Sequence, residues 1–310
     1  MFHSPNPLIN PCWDPVFKGI FTRDSIPSQI ARKALLSALL ERTVDRLSIS
    51  ANEPPVSRLG DRHIRYDINC TFDSGEKANI EMTLYPHAQE ALRLEYYSAR
   101  LFINQPLRGK NKSFGDLRRT YQISLLAHRK LFADDTFDHK FIYYDPERRI
   151  RLGGRTTILV LELEKLKETA GKPVREMTGK ERWGIFFKYY TEPERQGLIG
   201  ELMAAEEGIA MAGEMLEGFT AEEEAYFYEL SKEKYELDMQ EYETEAWKKG
   251  IAEGLEQGRT EGLERGRAET RREVFRQDLE AAQKMRGRGF SPDEIRDLLP
   301  RLTMEDILNA

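Results

Sequence analysis

Two carboxylates on adjacent predicted strands are the residues of this chain best placed to do chemistry. Asp67 lies early in the segment RYDINCTF, and Glu81 lies in the middle of ANIEMTLY. Apolar and polar residues alternate around both, which predicts two half-buried strands, and the intervening DSGE tolerates a tight turn. Acids on paired strands can converge on one divalent cation, and oxygen ligands suit Mg²⁺ or Mn²⁺, a common arrangement for phosphodiester hydrolysis. The alternative is a pair of solvated acids on an ordinary hairpin.

The segments around this hairpin predict a mixed sheet covered by helices. A first helix is predicted to begin near Asp14, and a second, IARKALLSALLERTV, to be capped by Ser25 or Ser28. A short strand is predicted at 47–50, and a long helix at about 87–105. Further strands are predicted in TYQISLLAH, KFIYYD, RRIRL and TTILVLELE, of which the last is continuously apolar and therefore central. This order of elements is typical of an α/β domain.

The part of the chain after Lys167 is predicted to be almost entirely helical. The aromatic segment ERWGIFFKYY has the spacing of an amphipathic helix that packs on a core. A later repeat, GIAEGLEQGRTEGLERGRAE, places glycine at every fourth position from 250 to 266. Five glycines cost a helix about 5 kcal/mol relative to alanine, so this segment predicts either a glycine face that pairs with another helix or a flexible spacer. Capping boxes at Ser291 and Thr303 predict a closing helical hairpin, which resembles a DNA-reading helix-turn-helix but is short and acidic.

Composition and charge limit the possible functions. The chain has 310 residues, of which 40% are hydrophobic and 32% charged, and no apolar run approaches a membrane span. Two cysteines exclude a disulfide framework or zinc cluster, and the N-terminal residues lack signal-peptide features, so we expect a cytoplasmic protein. Residues 1–165 carry a net charge of +5 and residues 166–310 a net charge of −11. The first half is therefore expected to approach a polyanion.

An ordered set of motifs resembles the recombination-promoting nuclease family, whose members are also described as transposases with a PD-(D/E)XK nuclease domain. The motifs are DPVFKGIF, YDINC, NIEM, the helix residues Arg93, Tyr96 and Tyr97, YQISLL, TILVLELEKL, RWGIFF and the glycine repeat, and they extend over most of residues 11–270. The resemblance implies a restriction-endonuclease-like core with a mixed central sheet, metal-dependent DNA cleavage, and a link to DNA recombination or mobile elements. A transposase function is inherited from the family's naming alone, since nothing in these residues shows strand transfer and no DDE-type triad is visible.

The resemblance assigns the active site residue by residue. Asp67 matches the first acid of the core and Glu81 the second, and these two would hold the metal. The third position is usually Lys in the superfamily and commonly Gln in this family, but here it is Thr83. A lysine orients water and stabilises negative charge in the transition state, whereas a threonine offers one short, uncharged hydroxyl. Two interpretations remain open: a metal-dependent DNA endonuclease, or a catalytically degenerate nuclease fold that binds DNA or a protein partner.

Other residues are weaker candidates. Asp14 and Lys18 are possible accessory residues, with a helix cap and a surface lysine as the alternatives, and Gln89 could replace the missing glutamine. Arg93 is expected either to contact phosphate or to pair with an acid of the core. DNA-backbone contacts are expected from two basic clusters, of which the first comprises Arg108, Lys110, Lys112, Arg118 and Arg119 and the second comprises Arg148, Arg149, Arg151 and Arg155.

We predict four regions along the chain. These are a nuclease-like domain at 1–168, a helical extension at 169–247, a glycine-repeat helix at 248–274 and a small helical hairpin at 275–310. The glycine-repeat helix is expected to support a homo-oligomer, which would bring two active sites to one duplex.

Overall fold

The computed structural model of this protein describes residues 9–51, 65–86, 89–107 and 112–310. The helices are α1 (Asp14–Thr22), α2 (Ile26–Leu40), α3 (Glu90–Ile103), α4 (Gly179–Tyr189), α5 (Gln196–Ala205), α6 (Glu207–Glu217), α7 (Ala221–Gly287), α8 (Pro292–Leu298) and α9 (Met304–Asn309). The strands are β1 (Leu47–Ile49), β2 (Ile68–Phe72), β3 (Lys77–Thr83), β4 (Thr120–Leu126), β5 (Asp138–Phe141), β6 (Tyr144–Asp145), β7 (Ile150–Arg151) and β8 (Thr156–Glu162). Within the described residues, no helix is at once long enough and apolar enough to traverse a lipid bilayer.

The central sheet of the described residues is six-stranded and mixed, in the order β1-β2-β3-β4-β8-β5. Strand β2 is antiparallel to its neighbours β1 and β3. Strands β3, β4 and β8 are parallel, and β5 is antiparallel to β8. The predicted single strand KFIYYD is wrong, because its first half, in β5, pairs with β8 while its second half, β6, pairs with β7 in a separate ribbon. The predicted central position of TTILVLELE is confirmed, since β8 has a neighbour on each side.

One face of the sheet packs against α1, α2, α4 and α6 in the main hydrophobic core. Phe17 and Phe21 of α1 and Trp183 and Phe187 of α4 are buried there in mutual aromatic contacts. Ser25 caps α2 by accepting a hydrogen bond from the backbone N–H of Ser28 at 3.4 Å, and is therefore the correct one of the two caps proposed for that helix. The aromatic segment predicted to pack on a core therefore does so.

The opposite face of the sheet is covered by α3. Leu94 of this helix packs against Leu126 of β4 and Val160 of β8. Near β3 this face becomes polar, because Asn79 and Glu81 are buried beside Gln122 of β4. Hydrophobic packing alone does not explain why polar side chains are buried in this part of the sheet.

The chain divides into two compact units, residues 1–242 and 243–310. The first unit holds the sheet, its covering helices and the first part of α7. The second unit closes on a small core of Ala282, Ile295, Leu302 and Ile307. The capping boxes predicted at Ser291 and Thr303 are both present. The four-region division of the chain stays a prediction.

Candidate active site

Asp67 and Glu81 lie where the pairing of β2 with β3 ends. The antiparallel register pairs Asn69 with Asn79 and ends at Ile68 and Ile80, and Asp67 directly precedes Ile68 while Glu81 directly follows Ile80. The carboxylate of Asp67 also accepts a hydrogen bond from the backbone N–H of Met82 at 3.1 Å. Asp67 is 7% exposed and Glu81 1% exposed. The prediction of two solvated hairpin acids is therefore wrong, and the sheet holds both carboxylates away from bulk water.

Asp67 turns toward α1, where it joins Asp14 and Lys18. The Lys18 Nζ atom lies 3.0 Å from the Asp67 Oδ1 atom and 3.0 Å from each carboxylate oxygen of Asp14. The spacing of four residues on α1 places Asp14 and Lys18 on one face of the helix. Neither sequence alternative for this pair holds, because Trp13 occupies the N-cap of α1 and the Lys18 side chain is only 24% exposed.

Glu81 is held from the other side, by α3. Its Oε2 atom accepts a hydrogen bond from Arg93 at 2.9 Å, and its Oε1 atom accepts one from Asn79 at 2.9 Å. Arg93 also donates to the buried Glu90 at 2.9 Å and lies over the ring of Tyr97. Of the two roles expected for Arg93, the structure contains the ion pair with a core acid. The two catalytic candidates thus lie at the end of the same strand pair yet are bound to cations from different helices.

The acids of the site differ in their tendency to ionise. Burial, reinforced by the neighbouring Asp14, raises the pKa of Asp67 to about 6. Burial opposes ionisation of Asp14 too, but the ammonium groups of Lys234 and Lys18 outweigh it and hold the pKa of Asp14 below its ordinary value. Burial also raises the pKa of Glu81 to about 8, although Arg93 opposes the shift. Such displaced values are common where carboxyls take part in acid–base or metal chemistry, and they also occur in structural ion pairs.

A cavity of about 180 Å³ opens beside these acids. Its lining comes from α1, from the end of β3 and the residues after it, from α3 and from α7: Asp14, Asp67, Met82, Thr83, Leu84, Tyr85, Arg93, Ser231, Lys234 and Asp238. Thr83, the third motif position, therefore reaches the same space as Asp67. Glu81 lies beneath this surface, behind Arg93.

The first part of α7 is fixed against the body of the first unit at this cavity. Ring contacts join Tyr228 to Trp13, with centroids 5.7 Å apart, and Tyr235 to Tyr85, with centroids 5.3 Å apart. Between them, Lys234 places its Nζ atom 3.5 Å from the Asp14 Oδ1 atom. Sequence reasoning missed Lys234, because about 150 residues separate it from the hairpin and its acidic helix carries no motif.

Gln89 is not brought to the site. It occupies the N-cap of α3 without a capping side-chain bond, is exposed, and is absent from the described lining of the cavity. His87, which neighbours it, lies outside the described residues.

The predicted basic clusters lie at the other end of the sheet. Lys112, Arg118 and Arg119 precede β4, and Arg149 and Arg151 precede β8, and all five are exposed. The parallel register aligns the beginnings of β4 and β8 with Lys77 at the beginning of β3, whereas Thr83 ends that strand. Six strand steps separate the two ends by about 20 Å. Arg108 and Lys110 lie outside the described residues.

The donor atoms near the cavity fit a hard divalent cation. The candidates are the carboxylates of Asp67 and Glu81, with Asp14 beside them. Two ammonium groups lie near the Oδ1 atom of Asp14, that of Lys18 at 3.0 Å and that of Lys234 at 3.5 Å. No cluster of three or more Asp, Glu, His or Cys residues suited to a metal ion occurs among the described residues. Mg²⁺ commonly binds through one or two carboxylates together with water and substrate phosphate, so a site with two protein ligands suffices for it.

Comparison with known proteins gives one family. Searches of curated proteins and of solved structures found no match. A family model described as PD-(D/E)XK nuclease family transposase matches residues 11–246. The match includes the hairpin with both acids, all of the central sheet and the part of α7 that lines the cavity. Nucleases of this superfamily generally use divalent metals. This chain belongs to the PD-(D/E)XK nuclease family transposases.

Proposed function

We propose that this protein is a metal-dependent DNA endonuclease that hydrolyses phosphodiester bonds. The observation that carries the proposal is the placement of Asp67, directly before β2, and Glu81, in β3, next to the Ile68–Ile80 pair, with Asp67 opening onto the cavity that Thr83 also lines. A bound Mg²⁺ or Mn²⁺ would be held by these two carboxylates and would supply an activated water and neutralisation of phosphate charge. In the reaction a water oxygen attacks phosphorus, one P–O ester bond breaks, the water loses a proton and the departing sugar oxygen gains one.

Ion pairs hold the two acids in place before a polyanionic substrate binds. Lys18 and Arg93 balance the charge of Asp67 and Glu81, which lets both acids stay in a buried place. Asp14 shares the Lys18 ammonium group with Asp67, and its carboxyl contributes to the raised pKa of Asp67. These contacts orient the acids before substrate arrives, which is the main contribution a protein makes to such sites.

The exposed basic clusters are proposed to contact DNA backbone away from the scissile phosphate. Their distance of about 20 Å from Thr83 corresponds to roughly six base-pair steps along a duplex. Replacing Arg118 and Arg119 by Ala should therefore weaken binding for all sequences and reduce its salt dependence by about two phosphate contacts. The rate of cleavage of bound DNA should stay within about twofold of wild type, because neither side chain approaches the acids.

We also propose that the glycine-repeat part of α7 pairs two copies of the chain. A methyl group added at Gly250, Gly254, Gly258, Gly262 or Gly266 would meet no atom within 4 Å. The open space along these positions leaves room for a second helix. Small residues at helix interfaces let two helix backbones approach closely in this way. A dimer would place two active sites on one duplex. The cytoplasmic location and the link to recombination remain proposals from sequence.

Plasmid cleavage by the purified full-length protein tests the nuclease proposal. Wild type should nick supercoiled DNA with Mg²⁺ or Mn²⁺ and not with EDTA, and both Asp67→Asn and Glu81→Gln should remove the activity. Asp73→Asn is the matched control, since Asp73 is an exposed acid in the turn of the same hairpin, at the far end of the strands. Equal rates for wild type and Asp67→Asn would contradict the assignment of the site.

A second function is supported by the ion pairs themselves. Glu81 is fully covered and bound to Arg93, and the third motif position is a threonine. These features suit a nuclease fold that binds DNA or a protein without cutting. Salt-sensitive DNA binding by wild type, with no cleavage under any metal, would favour this function over the first.

A further inference from the structure

Thr83 leaves the candidate site without the positive group that this motif position usually provides in the wider superfamily. Its side chain lines the cavity beside Asp67, but a threonine hydroxyl is short and carries no charge. Charge that develops on a phosphate in the transition state is best stabilised by a cation that is in place beforehand. The cations around the cavity are therefore the groups to compare.

Two cations lie among the described residues that line the cavity, Arg93 and Lys234. Arg93 is bound to Glu81 and Glu90, each at 2.9 Å, and its guanidinium also covers the ring of Tyr97. Moving Arg93 toward a substrate would leave two fully buried carboxyls without their cation, which is costly. Arg93 is therefore held by its ion pairs within the protein and does not serve as the cation for a substrate phosphate.

Lys18 is likewise held by ion pairs within the protein. Its ammonium group lies 3.0 Å from both Asp14 and Asp67, and the cavity lining in the described part of the chain does not include it. Lys18 contacts the acids from behind, on α1. It balances their charge but does not face the space in which a phosphate would lie.

Lys234 differs from both residues. Its ammonium group lies 3.5 Å from the Oδ1 atom of Asp14, and 47% of its side chain is exposed. A lysine so placed can turn from the acid to a ligand at small cost, since its ammonium group is a mobile point charge on a flexible stem. Its position is nevertheless fixed, because the aromatic contacts of Tyr228 and Tyr235 hold the helix on either side of it.

We propose that Lys234 supplies the positive charge that position 83 lacks, by facing the scissile phosphate from α7 and stabilising the charge that develops on it. This inference rests on the proposed nuclease function. Lys234 takes and gives no proton in this role. It makes the first part of α7 a component of the active site rather than an appendage to the nuclease core.

Single-turnover cleavage by the full-length protein tests the role of Lys234. Lys234→Ala should lower the rate constant for bound DNA by about 10- to 100-fold, somewhat less than the loss of a fully buried oxyanion donor because Lys234 is partly exposed. Lys232→Ala is the matched control, an exposed lysine on the same helix that removes the same charge, and it should stay within about twofold of wild type. Adding Thr83→Lys to Lys234→Ala should restore at least about tenfold of the loss, because the cation returns at the motif position.

Two measurements without turnover separate this role from general DNA binding. DNA affinity in EDTA should fall equally in Lys234→Ala and Lys232→Ala, since each variant loses one positive charge. The affinity for Mn²⁺ alone, followed by thermal shift, should rise about 3- to 10-fold in Lys234→Ala only, because a cation near Asp14 has been removed.

The possible failures are distinguishable. If wild type cleaves, Asp67→Asn does not, and Lys234→Ala matches Lys232→Ala in rate and Mn²⁺ affinity, the proposal for Lys234 is overturned and the nuclease function stands. A slow Lys234→Ala variant that Thr83→Lys does not rescue, with DNA affinity lowered by the same factor, overturns it in favour of a binding role. If wild type cleaves no DNA with either metal, the nuclease function itself fails, and this proposal fails with it.

Discussion

Replacing Arg93 by Met should destabilise the protein because Glu81 would lose its cation in a buried place. Glu81 is 1% exposed, Arg93 donates to it at 2.9 Å, and Asn79 occupies its other oxygen. Removing one partner of a buried ion pair typically costs about 3–5 kcal/mol. Arg93 is 30% exposed and Glu81 can take up a proton, so we expect the free energy of unfolding to fall by about 2 kcal/mol near neutral pH.

The loss of unfolding free energy caused by Arg93→Met should increase at high pH. Burial raises the pKa of Glu81 to about 8 in the folded protein, from an ordinary value of 4.5. An acid with a raised pKa favours the folded state at low pH, and this stability is lost as the pH rises through the folded pKa. In the wild type the loss ends near pH 8. Without Arg93 the folded pKa is higher still, so the variant continues to lose about 1.4 kcal/mol per pH unit, or about 2 kcal/mol more by about pH 9.5.

Urea unfolding followed by circular dichroism at about pH 6, 8 and 9.5 measures this difference. Arg148→Met is the control, since Arg148 is 66% exposed and pairs with the partly exposed Asp145 and the exposed Glu147, so its loss should stay below about 0.5 kcal/mol at every pH. Combining Glu81→Gln with Arg93→Met should abolish the increase in the stability difference above pH 8, because no titrating carboxyl remains at position 81. A difference that is the same at all three pH values, or equal to that of Arg148→Met, would refute the reasoning.

Three further predictions concern the acids and glycines. The wild type should lose about 2 kcal/mol of stability relative to Asp67→Asn between about pH 4 and pH 6, because burial raises the folded pKa of Asp67 to about 6; urea unfolding at both pH values would show no such change if this is wrong. Gly208→Ala should lower the free energy of unfolding by about 1–3 kcal/mol, since its new methyl would lie 2.1 Å from Ala34, whereas Gly200→Ala meets no atom within 4 Å and should not destabilise. Gly258→Ala should raise helicity by its better propensity and lower the mass measured by sedimentation; an unchanged mass removes this position from the proposed pairing surface.

Local patterns were sufficient to predict the hairpin and its acids. The alternation around Asp67 and Glu81 predicted two strands, and the structure contains β2 and β3 at those positions. The capping boxes at Ser291 and Thr303 were predicted correctly for the same reason, and Ser25 was one of two caps proposed for α2. In each case the determining contacts join residues close in sequence, so the signal is contained in a short window.

The direction in which strands run could not be deduced from composition. The basic clusters before β4 and β8 were expected to contact DNA backbone, but the sequence did not indicate where they lie relative to the acids. Parallel pairing with β3 places them at the beginnings of the strands, whereas Thr83 lies at an end. Net charge along a sequence shows which segment is basic but not which edge of a sheet it reaches.

The sequence by itself determined most of the helices and strands, the family and the identity of the two hairpin acids, because these depend on short-range periodicity and on an ordered set of motifs. Only the tertiary structure decided what surrounds those acids. Lys18 from α1, Arg93 from α3 and Lys234 from α7 reach them from separate elements. The physical reason is that a buried carboxyl needs a nearby cation, yet any element that packs close enough can provide it, so sequence spacing does not reveal which lysine or arginine does so.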